Sequence, residues 1–498
     1  MLATIDLQFS EADLKVILPS AILFLTGLVQ LLTDAFIGGR DPQGDRGQKS
    51  HLVLTGAAGA VLAFAALGLV EDPNARVFSG ALSGDLLGRF AGGIIIATTL
   101  LTGLGAGGYL AAIGKNRGEF HALLSFGAGA MILLAQSTNL ISMFVAVETL
   151  SLALYVLAGF VRDWRESAEG AFKYFVMGAF SSGFLLLGMA FLYGGSGGAI
   201  ELSGLANHGD EPLIAVGTLL VLIGLGFKVG AVPFHSWVPD VYQGSPMLAA
   251  GWMAVAVKVC CFVALIRIVV ATGAGEFGNP VIASLVEALA FVTIILGNLA
   301  ALNQTNLKRM LAYSGIAHTG YLLVPLVLVL NDPGNAAMLG NTLFYLATYL
   351  VTTLAAFVAL STLQRGERDC DHVDSIKGLA RRHPVIALGF SLSMVSLAGI
   401  PLTAGFMGKF RIFSDAVTAG KWHLAIIGVI GSMISVYYYL RPIVAMYFHE
   451  SKEETEKAEA AWGLHLSLLL LSGGILFLGI LPEAVASLSQ SAFALTGP

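Results

Sequence analysis

GLGFKVGAVPFHSWVPDVYQGSP, residues 224–246, is the stretch whose reading decides the fold. It begins as the end of an apolar run long enough to cross a bilayer, yet it carries Lys228 and then Pro233 among glycines. Proline removes an amide hydrogen bond and clashes with the preceding turn, while glycine tolerates unwound backbone. The stretch therefore reads as a transmembrane helix broken at depth beside an ammonium group. Backbone unwound at that depth is stable only where protein buries it or it lines a cavity. A second stretch repeats the construction. SLAGIPLTAGFMGKF, residues 396–410, sets Pro401 and Gly405 just before Lys409.

The composition around these stretches is that of a membrane protein. Of 498 residues, 56% are hydrophobic and only 12% charged, with mean hydropathy +0.80. Soluble chains carry about 25% charged residues, so most of this surface must meet lipid. The net charge of −5, with no basic stripe, excludes a nucleic-acid partner. Cys260, Cys261 and Cys370 form no C-x-x-C pair, which argues against an iron–sulfur cluster or structural zinc. Asp6, Glu11 and Asp13 precede the first base, Lys15, so the start predicts no cleavable signal peptide and suits an exported N-terminus.

Apolar runs predict an all-α, polytopic chain of about fourteen spans, since about 20 residues cross the hydrocarbon. They fall near 14–36, 51–71, 90–114, 119–136, 139–161, 168–194, 212–236, 246–270, 280–303, 310–330, 336–363, 384–413, 422–447 and 460–482. The breaks lie in the seventh and twelfth. Because they are an odd number of spans apart, they predict two inverted five-helix repeats. The expected organisation is a three-helix segment at 1–118, a first antiporter-like repeat at 119–272, a second at 280–447, and a linker with a C-terminal helix at 448–498.

Basic residues set the orientation. With an external N-terminus, the inner loops hold Arg40, Arg46, Lys49, Lys115, Arg117, Arg162, Arg165, Lys308, Arg309, Arg365, Arg368, Lys377, Arg381, Arg382, Arg441, Lys452 and Lys457. The outer loops keep only Lys15, Arg76, Arg89 and Lys421. Both termini are expected outside.

The remaining charges sit where lipid should be. Glu148 lies within LISMFVAVETLSLALYVLAGF (140–160), Lys258 within GWMAVAVKVCCFVALI (251–266), and Lys173 in the first third of its span. With Lys228 and Lys409 these would cost on the order of 15 kcal/mol if bare, at roughly 3 kcal/mol each. One glutamate cannot neutralise all these lysines, so static pairing leaves surplus cations. Withdrawal of an amine from water favours its neutral form, and a row of such amines joined by water or imidazole is a proton relay. His235 and His318 are of the type that titrates near neutral pH, although a lone membrane histidine is more often a hydrogen-bonded core residue. Lys173 and Arg411 stand close enough to span ends to snorkel, and Arg267 reads as an interfacial anchor.

Three motifs carry a resemblance. PFHSWVPDVYQGSP (233–246), QTNLKRMLAYSGIAHTGYLL (304–323) and GIPLTAGFMGKF (399–410) resemble the antiporter-like subunit family of the proton-pumping NADH:quinone oxidoreductase, respiratory complex I. The W-x-P-D-V-Y-x-G-x-P form and the lysine after G-F-x-G are similar to its subunit N branch rather than to M or L. The resemblance covers nearly the whole chain.

It implies a non-redox subunit of a proton translocase, driven by quinone reduction in other subunits. Glu148 would be the fifth-helix glutamate and Lys173 the lysine that pairs with or modulates it. Lys228 would be the lysine at the break, His235 the neighbouring bridge, Lys258 the central lysine, His318 a further link and Lys409 the exit. Lys308 would serve coupling, although a snorkelling base explains it as well. Asn306 stands where related antiporter subunits often have aspartate. No cofactor or metal is expected in this chain; NADH, flavin, iron–sulfur clusters and quinone would be bound by other membrane-arm and peripheral-arm subunits. The expected location is the bacterial inner (plasma) membrane, multi-pass, with both termini periplasmic. The alternative is a subunit of a multisubunit Na⁺/H⁺ antiporter or a membrane-bound hydrogenase. A stand-alone permease or an inert scaffold leaves the lysine row unexplained.

Overall fold

The computed structural model describes residues 9–37, 44–47, 49–208, 211–273, 280–364, 369–450 and 461–494. Asp6, Arg40, Arg365, Arg368, Lys452 and Lys457 lie outside the described residues. The chain crosses as α1 (Glu11–Ile37), α2 (Ser50–Leu67), α3 (Leu86–Ala112), α4 (Gly118–Gln136), α5 (Leu140–Ala158) and α6 (Arg165–Gly195). The seventh crossing is α7 (Pro212–Val229) followed by α8 (Trp237–Gly244). The eighth is α9 (Met247–Trp252), a π-helical turn (Met253–Val257) and α10 (Lys258–Gly273). Then come α11 (Pro280–Leu302), α12 (Leu307–Asn331) and α13 (Leu339–Ser361). After the short α14 (Leu379–Arg382), the twelfth crossing is α15 (Pro384–Ala398) with α16 (Ala404–Thr418), followed by α17 (Trp422–Phe448) and α18 (Trp462–Ile480).

Among the described residues, 13 helices are long and apolar enough to span a membrane. The two halves of the twelfth crossing supply the fourteenth, so the chain is a multi-pass membrane protein with the expected span count. The breaks fall in the fourth crossing of each run of five, and the odd number makes the two runs start from opposite faces.

Local chemistry ends these helices. Asp85 Oδ1 accepts the Gly88 amide at 2.7 Å to cap α3, and Asn139 Oδ1 accepts the Ile141 amide at 2.7 Å to cap α5. Such capping satisfies amides that the first turn leaves without partners. α7 stops at Val229, short of the expected 236, because Gly230 turns left-handed at φ +74° and returns its amide to the last turn. Gly399 ends α15 in the same way at φ +84°.

Helices without a lipid face form the centre. The eighth and tenth crossings are each 94% buried within the chain and α13 is 89% buried, whereas α6 is 33% buried and lines the rim. Small residues let backbones touch. A β-carbon on Gly297 of α11 would lie 2.5 Å from the Ala317 amide of α12. Besides α8 and α14, the elements outside the expected spans include a hairpin pairing Arg76–Val77 with Leu82–Ser83, and α19 (Glu483–Ala494). Both are too short or too polar to register as apolar runs.

Candidate functional site

Three lysines occupy the interior at mid-span. Lys228, Lys258 and Lys409 are each no more than 4% exposed, and among the described residues none is in an ion pair. Their surroundings replace a counter-charge with hydroxyls, ring faces and backbone carbonyls.

Lys228 ends α7. Its Nζ donates to Ser151 Oγ on α5 at 2.7 Å and lies 3.4 Å from Tyr155 Oη. The rings of Tyr155 and Tyr174 stand 5.3 and 5.6 Å away, within cation–π range. A narrow cavity of about 10 Å³, room for about one water, lies between Lys228 and Lys258. Trp237, Tyr242 and Ile316 share its walls.

Lys258 directly follows the π-helical turn, and its side chain meets α12. Its Nζ donates to Gly315 O and lies 5.1 Å from the Tyr349 ring. Gly315 leaves room for both groups, since a β-carbon would sit 3.1 Å from Tyr349 Oη and 3.3 Å from that ammonium and press on each. One turn further along α12, His318 Nδ1 lies 2.7 Å from Tyr345 Oη, and Nε2 lies 3.3 Å from Tyr439 Oη. Tyr439 Oη in turn bonds Ser314 Oγ.

Lys409 closes the row. Its Nζ donates to Leu397 O at 2.8 Å, reaches Ala398 O at 3.4 Å, and stands 5.3 Å from the Tyr321 ring. It thereby caps the cut end of α15, where carbonyls and the helix dipole favour a cation. Beside it opens a cavity of about 560 Å³ between α16 and α17, walled by Phe410, Phe413, Ser432 and Met433.

The breaks themselves are asymmetrically exposed. Pro233 and Pro401 face outward, while Gly405 is buried against α15, where its amide meets Ser396 Oγ at 3.0 Å.

Several expectations need correction. Glu148 and Lys173 are not partners. Glu148 accepts from Ser182 Oγ at 2.5 Å, while Lys173 pairs with Glu169 at 2.8 Å and Asp240 at 2.7 Å. Ser182 and Lys173 stand nine residues apart on α6, about 13 Å along its axis, which places the two charges at different depths. His235 is not a bridge between Lys228 and Lys258. It lies half-buried in the 231–236 connection, does not line their shared cavity, and its Nδ1 meets no hydrogen-bond partner among the described residues. Arg267 is no interfacial anchor but forms a buried bidentate pair with Asp85 at 2.7 and 2.8 Å. Lys308 does not snorkel. It is buried against Asp369 at 2.7 Å and Ser245 O at 2.9 Å, and Asp369 also accepts from Tyr109 Oη at 2.7 Å.

Sequence reading missed Ser151 and Tyr155, although both lie at helical spacing from Glu148 and share its face. It also missed Tyr345, Tyr439 and Asp369, which no local pattern marks. The fragments converge on one seam through the middle of the protein, from Ser182 and Glu148 through Lys228, Lys258 and His318 to Lys409.

Comparisons with known proteins agree with this architecture. Residues 137–435 match the family model described as NADH:quinone oxidoreductase/Mrp antiporter, TM. A NADH-quinone oxidoreductase subunit N of Myxococcus xanthus is 36% identical, covering 98% of this chain and 99% of that protein. Its counterpart from Trichlorobacter lovleyi is 37% identical, covering 97% and 98%. A chain of respiratory complex I from Thermus thermophilus superposes with TM-score 0.78 at 33% identity, covering 95% of this chain and 99% of that one. A chain of the Mrp complex from Dietzia shares the fold alone, with TM-score 0.80 at 22% identity and 96% and 97% coverage. The chain therefore belongs to the NADH:quinone oxidoreductase/Mrp antiporter family of membrane subunits, in the subunit N branch.

Proposed function

We propose that this chain is a proton-translocating subunit of the membrane arm of an NADH:quinone oxidoreductase, a translocase component that carries no redox group of its own. The observation that carries the reading is the row of buried lysines bonded to hydroxyls and carbonyls rather than to carboxylates. An ammonium held by Ser151 or by a carbonyl gives up its proton without leaving a stranded anion, which a tight ion pair would forbid. Proton affinity at one lysine then responds to charge at the next, since a pKa unit corresponds to about 1.4 kcal/mol. Glu148, Lys228, Lys258, His318 and Lys409 form the relay. Lys173 and His235 lie on the flank facing α8, and Lys308 anchors the start of α12.

The two five-crossing runs, 119–272 and 280–447, form the transporting core, with 1–118 and 448–498 packed around it. The face rich in basic residues is the cytoplasmic one, so both termini are periplasmic and the membrane is the bacterial inner one. NADH, flavin, iron–sulfur clusters and quinone belong to partner subunits of the membrane and peripheral arms. Sodium transport is the second reading, but Glu148 is the one carboxylate of the row, and the carbonyls in it are already held by ammonium groups, whereas a hard cation favours several free oxygen ligands.

The test is Lys228→Met in the assembled enzyme, in sealed membrane vesicles. The protons moved per NADH oxidised should fall, and an unchanged ratio removes Lys228 from the relay.

A further inference from the structure

His318 belongs to the seam and is also the start of a branch that leaves it along α13. α13 runs antiparallel to α16, and one stripe of α13 bears Asn341, Tyr345 and Thr348 at successive turns. That stripe lies directly on the α16 backbone at Gly408, where a β-carbon would stand 2.7 Å from Thr348 Oγ1 and 3.0 Å from Tyr345 Cδ2. Tyr345 takes the His318 contact at 2.7 Å. One turn along, toward the face on which α1 begins, Asn341 Nδ2 donates to Asp415 Oδ2 at 2.7 Å. Asn341 is only 7% exposed, and its amide oxygen has no hydrogen-bond partner among the described residues.

Asp415 lies two turns beyond Gly408 on the same side of α16, whereas Lys409 faces the cut end of α15. Arg411, one turn before Asp415, pairs with Glu483 of α19, whose side chain is 78% exposed at the protein surface. The guanidinium also lies 5.1 Å from the Phe344 ring. A half-buried carboxylate thus stands between an imidazole–phenol pair and the surface charges of one membrane face. No lysine of the row is in hydrogen-bond contact with it.

We propose that Asp415 is the proton-releasing group of an outward branch, His318–Tyr345–Asn341–Asp415, that opens on the face where α1 begins. A proton leaves the His318 ring for Tyr345 Oη as that phenol releases its own, crosses by water beside the Asn341 amide oxygen, and is taken up on a carboxylate oxygen of Asp415; the O–H bond formed there breaks when Asp415 returns the proton to the water at that face, and no electrons move. Lys409 then serves the lateral direction and Asp415 the exit. This rests on the proton-translocating reading above.

The experiment compares Asp415→Asn, Asp415→Glu and Lys228→Met in the assembled enzyme in sealed vesicles, with assembly checked on native gels. Asp415→Asn keeps an oxygen for Asn341 but cannot ionise. Protons per NADH should fall in Asp415→Asn and recover in Asp415→Glu, and a carboxyl infrared band present during turnover should vanish in Asp415→Asn alone. An unchanged ratio in Asp415→Asn, with Lys228→Met impaired, overturns the exit assignment alone. Failure of Asp415→Glu to recover overturns it too, because the residue then acts by shape rather than by charge. If neither Lys228→Met nor Asp415→Asn lowers the ratio, the translocating reading itself falls.

Discussion

The two broken crossings use the same ingredients in opposite order. In the seventh, the lysine precedes the break, and the cut end of α7 is held by another residue: Trp237 Nε1 donates to Phe227 O at 3.0 Å. Lys228 is thereby free of structural duty and reaches a serine hydroxyl. In the twelfth, the lysine follows the break, and its own ammonium holds the last carbonyls of α15. Lys409 is at once part of the relay and part of the helix cap. An amine that holds backbone loses a charge-assisted bond, and part of the fold's support, each time it gives up its proton. The difference assigns easy proton exchange to Lys228 and a gated exchange, coupled to the break itself, to Lys409.

Three substitutions test that contrast. Gly405→Ala has the largest expected effect. Its β-carbon would lie 1.9 Å from Ser396 O, a backbone atom that cannot move aside, so the twelfth break must open. A cost of about 3 kcal/mol, the upper end for overpacking, follows, read as loss of the chain from the assembled complex on a native gel. Normal assembly would show that the two halves of the twelfth crossing are not locked.

Lys409→Met comes next. It should remove about 1.5–3 kcal/mol of capping interaction as well as proton transfer, lowering the midpoint of heat-induced dissociation more than Lys228→Met does. Equal midpoints for the two variants would erase the proposed difference between the breaks. Trp237→Phe is the smallest. It removes the indole bond to Phe227 O but keeps most of the stack on Tyr174, whose ring lies 4.3 Å away. A loss of about 1 kcal/mol is expected, with protons per NADH held. A collapse of the ratio instead would mean that this cap, too, is coupled to the relay.

Much of this was legible in the residues. The count of crossings follows from hydropathy, because lipid permits few polar residues on the surface it touches. Pro233 and Pro401 announced the breaks, and the cost of burying charge singled out Glu148, Lys228, Lys258 and Lys409 without any knowledge of their neighbours. The motifs supplied the family.

Partnership was not legible. The resemblance implies a Lys173 that pairs with or modulates Glu148, yet the partner of Glu148 is Ser182, and Lys173 pairs with Asp240 on α8. Lys308 and Asp369 stand 61 positions apart in the chain, and Arg267 and Asp85 stand 182 apart. The choice between snorkelling and pairing at those bases depends on whether another helix lies over them.

The sequence by itself determined which segments cross the membrane, where two of them break and which charges are too costly to be idle. Those properties depend on each residue's own chemistry and on its neighbours along one helix. Only the tertiary structure decided that Lys228 faces a hydroxyl while Lys409 caps a helix, that His235 stands outside the row, and that Asp415 meets Asn341. The physical reason is that a charge states its need for a partner locally, whereas the partner is chosen by how helices distant in the chain pack together.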